Sequence, residues 1–220
     1  MSSTRRLAPL SGLAAIGCVV AGLAMDAAPT SSWSAARITA WYGTHSLGHW
    51  FVSAYILAAG APLFLLFVTS ILARMVDAGA DRQARTLVLA SGVTFAVTVL
   101  VGAGLYAAVP AGMTFSKAPA PSADVSRYLL GASYGVLVMF SALAAAMFTA
   151  ALSISSLRHR VLPRPLAILG IPAAALMLFN AVMPMAVITL WFTAASIALV
   201  LPRQARPEAL ASASMTAVTA

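Results

Sequence analysis

Three constellations in the 220-residue sequence have residue types that could do chemistry. The first is Gly131-Ala132-Ser133-Tyr134-Gly135, a G-x-S-x-G spacing that can lift a serine hydroxyl clear of its backbone. A nucleophilic serine needs a base within hydrogen-bond reach. The histidines are His45, His49 and His159, and all three fall between the apolar segments. The glycines therefore read as a small-residue packing step rather than an acyl-transfer site, and the chain reads as a non-enzyme. The second constellation is His45 and His49, four residues apart, which on one helix would point the same way and could share a metal ion. Asp26 or Asp124 could add a carboxylate, but the sequence brings neither to the pair. Tyr42 and Trp50 beside them favour anchoring at a membrane–water boundary, which leaves His45 and His49 as weak metal candidates, with no cofactor expected. The third is a set of hydroxyl faces and one amide: Ser91, Thr94, Thr98 and Gly102; Thr189, Thr193 and Ser196; and Asn180. Such faces let helices approach closely and share hydrogen bonds, which is the preferred reading. A pocket lined by Thr94, Thr98, Thr189 and Thr193 would instead favour transport of a neutral or apolar ligand.

The elements that must position these residues are set by composition. Hydrophobic residues make up 61% of the chain and charged ones 8%, and mean hydropathy is +0.95. Ordinary soluble domains have roughly 45–50% and about 25%. Five acidic residues cannot coat a water-facing surface, so most of the apolar area must face lipid. Six stretches lack Asp, Glu, Lys, Arg and His: Leu7 to Met25, Trp50 to Ala73, Thr86 to Val109, Tyr128 to Ile154, Leu166 to Val182 and Met185 to Leu201. About 17–25 residues of helix cross a hydrocarbon core, and lipid forces backbone groups to pair within the segment. The expected fold is all-α, a six-span transmembrane bundle forming one domain over 1–202, with a disordered tail over 203–220. No acidic, basic or histidine side chain lies inside a span, which argues against proton-coupled transport and voltage sensing.

A net charge of +8 would suggest nucleic acid in a soluble protein. Here the cations sit in short loops and read as topology determinants, with no nucleic-acid partner expected. Arg5, Arg6, Arg74, Arg82, Arg85, Arg158, Arg160, Arg164, Arg203 and Arg206 gather on one side of the alternating spans, Arg37, Lys117 and Arg127 on the other. By the positive-inside rule both termini are cytoplasmic. His159 belongs to the basic cluster, and the lone Cys18 excludes an intrachain disulfide. The first span could alternatively be a cleaved secretory signal, since Ala15-Ile16-Gly17-Cys18 resembles a lipoprotein cleavage box, but its apolar run continues to Met25.

Local signals place the remaining elements. Ser31 or Ser32 is expected to cap an interfacial helix ending near Thr44, with Trp33, Trp41, Tyr42 and Trp50 at the lipid boundary. Pro110 to Pro121 reads as irregular chain before Ser122 starts the next helix. Pro165 fits a first turn, Pro172 is expected to kink the fifth span, and Pro184 to open the sixth.

Ala40-Trp-Tyr-Gly-Thr-His45, Ser53-Ala-Tyr55 and the stretch Leu157-Arg-His-Arg-Val-Leu-Pro163-Arg-Pro-Leu-Ala-Ile-Leu-Gly170 carry a resemblance. They are similar to segments of alanine-rich actinobacterial multi-pass membrane proteins of the DUF4386-like kind. The resemblance implies a bacterial inner-membrane location and a multi-span topology, and supplies no catalytic residue or cofactor. A serine on the fourth of six spans also looks like the rhomboid protease arrangement, in which the base comes from the sixth helix, and Met185 to Leu201 holds neither His nor Lys. The expected role is a non-enzymatic membrane component acting through the bilayer, self-association or other membrane proteins. The alternative is a transporter or substrate-capture subunit.

Overall fold

The structure, a computed structural model, describes residues 9–25, 29, 32–44, 47–179 and 184–201. These residues form seven helices: α1 (Leu10–Ala24), α2 (Ala35–Thr44), α3 (Leu47–Asp77), α4 (Arg82–Phe115), α5 (Ala123–His159), α6 (Arg164–Phe179) and α7 (Pro184–Val200). No strand occurs among the described residues. Helices α3, α4 and α5 are long and apolar enough to cross a membrane, with mean hydropathies of 2.3, 2.1 and 2.1 over their most apolar stretches. Helices α1, α6 and α7 are also apolar but shorter.

Side-chain caps set several helix starts. Asp81 Oδ1 accepts from Ala84 N–H at 2.7 Å to open α4, and Ser122 Oγ accepts from Val125 N–H at 3.4 Å to open α5, as its type and position predict. Before α2 the Ser34 hydroxyl accepts from Arg37 N–H at 3.3 Å, and Ser31, one of the two expected caps, lies outside the described residues. Pro165 and Pro184 stand in the first turns of α6 and α7, where a missing N–H costs nothing. Pro110 behaves differently from expectation. Helix α4 runs through it to Phe115, and Val109 and Pro110 are both buried. Burial of Val109 among Ile38, Trp41 and Tyr42 of α2 and Ala123 and Leu130 of α5, together with burial of Pro110, outweighs the one hydrogen bond the proline removes.

Successive apolar helices run antiparallel, and specific contacts fix this. A Cβ on Gly12 would meet Phe67 of α3 and Ser196 of α7, while one on Gly22, at the other end of α1, would meet Leu57. Arg74, near the end of α3, donates to the Leu199 carbonyl near the end of α7. His159 at the end of α5 lies 3.9 Å from Asp81 at the start of α4. One end of the bundle thus carries Arg74, Arg82, Arg85, Arg158, Arg160 and Arg164, and the α2 end carries Arg37, Lys117 and Arg127.

Four phenylalanines meet at the centre, one each from α3, α4, α5 and α7. The ring centroids of Phe64 and Phe95 are 4.7 Å apart, Phe64–Phe192 5.3 Å, Phe64–Phe148 5.4 Å, Phe148–Phe192 5.6 Å and Phe95–Phe192 5.7 Å. These are the tilted and edge-on separations at which aromatic quadrupoles attract. All four are buried, and Trp191 and Phe67 extend the cluster.

Candidate functional site

The α2 end holds a second buried cluster, built from Ile38, Trp41 and Tyr42 of α2, Trp50 and Ala54 of α3, Tyr106 and Val109 of α4, and Ala123 and Leu130 of α5. Trp50 is fully buried, stacked on Tyr42 at 6.3 Å and edge-on to Trp41 and Tyr106. Tyr42 and Ser126 share a short hydroxyl–hydroxyl hydrogen bond, and burial raises the Tyr42 phenol above its ordinary value while that bond opposes the rise. Arg127 donates to Asp124 at 3.1 Å and to the Trp33 carbonyl at 2.7 Å, tying the start of α5 to the chain before α2. The aromatics expected at the lipid boundary therefore point into the protein. Helix α2 is a lid packed on the bundle, because tryptophan and tyrosine bury more area against α3 and α4 than an interface offers.

Of the two candidate metal histidines, His49 is exposed in the first turn of α3, and His45 lies outside the described residues. Helix α2 ends at Thr44 and α3 begins at Leu47, so no single described helix carries both. Asp124 is engaged by Arg127, and Asp26 is not among the described residues. The described residues contain no group of three or more His, Cys, Asp or Glu placed to hold a metal.

The hydroxyl faces divide between helix seams and the outside. Ser91 donates to the Leu87 carbonyl at 2.7 Å and is buried; Thr94 donates to Ala90 at 2.9 Å and is exposed. Thr98 donates to the Phe95 carbonyl at 2.8 Å and accepts from Ser141 of α5 at 3.2 Å. Thr189 and Thr193 are half-buried, Ser196 is buried against α1, and Asn180 lies outside the described residues. Thr94 thus faces outward, and the Thr98 hydroxyl is committed to the α4–α5 seam. Ser133 is fully buried and donates to the Gly102 carbonyl at 3.0 Å, so its hydroxyl is a strut between α4 and α5.

Gly131 and Gly135 do not pack as expected. A Cβ on either would meet nothing within 4 Å, whereas Ala142, Ala146 and Thr149 further along are buried. The cause is a π-helical stretch over Gly135–Phe140. Its wider turn holds an extra residue and rotates the later part of α5 relative to the earlier part. The inward face is Ser126, Leu130, Ser133 and Leu137 before the shift, and Ser141, Ala145, Phe148 and Leu152 after it. Leu137 fills the space left by Gly102, the point at which α4 and α5 come closest to needing a glycine.

A groove of about 280 Å³ lies between α3 and α4 toward the α2 end, floored by Ala54, Ala58, Ala103 and Ala107. Phe51 and Phe115, with centroids 5.7 Å apart, close one end of it. Neither family models, nor curated proteins, nor solved structures yield a match to this chain. The groove and the four-phenylalanine plug are features that residue chemistry alone does not flag. The one sequence signal of the plug is that Phe64, Phe95, Phe148 and Phe192 fall in four separate apolar runs.

Proposed function

We propose that this chain is a six-span integral protein of a bacterial inner membrane, with both termini cytoplasmic, and that it works as a non-enzymatic component through contacts made by its outer surface. The observation that carries this reading is the plug: Phe64, Phe95, Phe148 and Phe192 occupy the bundle axis where a conduit or substrate site would have to run. The hydroxyls support it, since Ser91, Thr98, Ser133 and Ser141 are used on neighbouring backbone or side-chain oxygens and Thr94 faces outward. The segregation of arginines to one end of the described helices favours that end as the cytoplasmic one. Six crossings follow if α1, α6 and α7, of 15, 16 and 17 residues, each span beside their longer neighbours, with local bilayer thinning covering the mismatch. Kinship with the DUF4386-like proteins belongs to this proposal and rests on the Ala40–His45, Ser53–Tyr55 and Leu157–Gly170 segments.

Reporter fusions after Arg82, Lys117 and Arg160 test the topology, with cytoplasmic signal expected at Arg82 and Arg160 and external signal at Lys117. External signal at Arg160 overturns the orientation. Purified protein in sealed proteoliposomes tests the role. No flux of small neutral solutes is expected, and saturable flux would replace the component reading with transport.

A further inference from the structure

The groove between α3 and α4 is open along its length and bounded by residues that face away from the bundle. Tyr55 on one wall is 71% exposed and Phe115 at its end 73% exposed, and the adjoining Val52, Val97 and Val101 are exposed as well. On helices apolar enough to cross a membrane, such a surface faces hydrocarbon. The floor is made of small residues, and a Cβ on Gly104 would meet nothing within 4 Å, so the cleft follows from side chains too short to fill the space between the helices. A lining of alanine, glycine, leucine and aromatic rings offers dispersion contacts and no polar partner, which matches an alkyl chain better than a polar solute.

The end of the groove adds a charge. Helix α4 stops just past Phe115 in a turn closed by Ala118 N–H on the Gly112 carbonyl at 3.1 Å, with Lys117 in the left-handed region at φ 51°. At the same end, Arg37 sits 4.0 Å over the Trp33 ring, and Arg127 is held by Asp124 and the Trp33 carbonyl. Lys117 has no hydrogen bond or ion pair within the described residues, is exposed, and stands two residues from the aromatic pair that ends the cleft.

We propose that this groove binds an anionic phospholipid of the leaflet at the α2 end, one acyl chain lying along Ala54, Ala58, Ala103 and Ala107 and the phosphate-bearing headgroup meeting the Lys117 ammonium. The apolar cleft sets where the lipid lies, and the lysine sets which headgroup is retained. The inference rests on the membrane reading above and names one of the surface contacts through which the protein works.

Native mass spectrometry of the full chain, released from detergent micelles with added phosphatidylglycerol or phosphatidylcholine, tests it. One phosphatidylglycerol is expected to stay bound in preference to phosphatidylcholine. Lys117→Gln removes the charge and is expected to lower that preference about fivefold, the worth of one lysine beside an anionic lipid. Gly104→Leu, which adds bulk in the cleft, is expected to lower retention of both lipids. Equal retention of the two lipids by the unaltered protein overturns the headgroup assignment. Retention untouched by Gly104→Leu overturns the groove. A dimer that Gly104→Leu dissociates shows a second copy as the occupant and overturns the proposal as well. Flotation of each variant with phosphatidylcholine vesicles separates these outcomes from failure of the membrane reading, because the substitutions leave insertion itself unchanged.

Discussion

Replacing Gly22 with alanine is expected to destabilise the bundle while replacing Gly17 with alanine is not, although both glycines lie on the same short helix. A Cβ on Gly22 would stand 2.9 Å from Leu57 Cβ, 3.0 Å from Leu57 N and 3.1 Å from Leu57 Cα. Two of those three atoms are backbone, so relief requires α1 and α3 to move apart and not merely a rotamer change. Movement also weakens the bond that buried Ser53 Oγ donates to the Gly22 carbonyl at 2.7 Å. Overpacking costs about 1–3 kcal/mol, and loss of one buried hydrogen bond adds about 1 kcal/mol. Glycine-to-alanine replacement within a helix returns about 1 kcal/mol of backbone propensity. A Cβ on Gly17 would meet nothing within 4 Å, so Gly17→Ala shows the propensity gain alone. Subtracting one variant from the other removes propensity and leaves a packing difference of about 2–4 kcal/mol. Reversible unfolding in mixed micelles, followed by fluorescence of buried Trp41, Trp50 and Trp191, measures it. Equal stability of the two variants refutes the close α1–α3 packing. An intact mass lacking α1 refutes it more directly, since a removed signal segment cannot contribute to the folded bundle.

Phe192→Ala removes a fully buried ring that touches Phe64, Phe95, Phe148 and Trp191, and is expected to cost about 3–5 kcal/mol in the same unfolding assay, with Phe192→Leu recovering most of it. The Asp81 carboxyl lies below its ordinary value of 3.8, first because Ala84 N–H bonds to its charged form and further because His159 is near. A lowered folded-state value means that this stabilisation is complete above the ordinary value and lost as pH falls through the folded one. Thermal midpoints across the acid range are expected to fall more steeply for the natural chain than for Asp81→Asn, which keeps a capping oxygen and cannot titrate. Parallel curves would remove the cap from the account.

The sequence makes the helices legible because lipid leaves them little choice. Charge-free runs of adequate length must be helical, and Ser122, Pro165 and Pro184 mark starts that local backbone chemistry enforces. Pro110 misleads because its cost is local while the burial of Val109 and Pro110 is tertiary. The glycines of α5 mislead for a related reason. Face assignment assumes a constant turn, and the π stretch over Gly135–Phe140 resets it part-way along the helix. Tyr42 and Ser126, separated by 84 residues, form a pair that no spacing rule can propose. The tryptophans carry both meanings at once, since the amphipathic ring that suits an interface equally suits a buried lid, and only the presence of Tyr106 and Leu130 opposite decides.

Placing function on the surface follows from what a dry bundle does to polar groups. In a low-dielectric interior a hydroxyl gains most when it is paired, and once paired it is no longer available to a ligand without breaking that bond. Ser53, Ser133 and Ser141 are bonded across helix seams to Gly22, Gly102 and Thr98, so these three hydroxyls fix the spacing of α1, α3, α4 and α5, while those of Ser153, Ser155, Ser156 and Ser196 are buried without a hydrogen-bond partner among the described residues. The aromatic plug then excludes water along the axis, and α2 covers the end that lacks the arginine cluster. On the proposed reading, selectivity would come from shape on the outer face, where α3 and α4 part over a row of alanines, and from the single lysine that the fold leaves beside it.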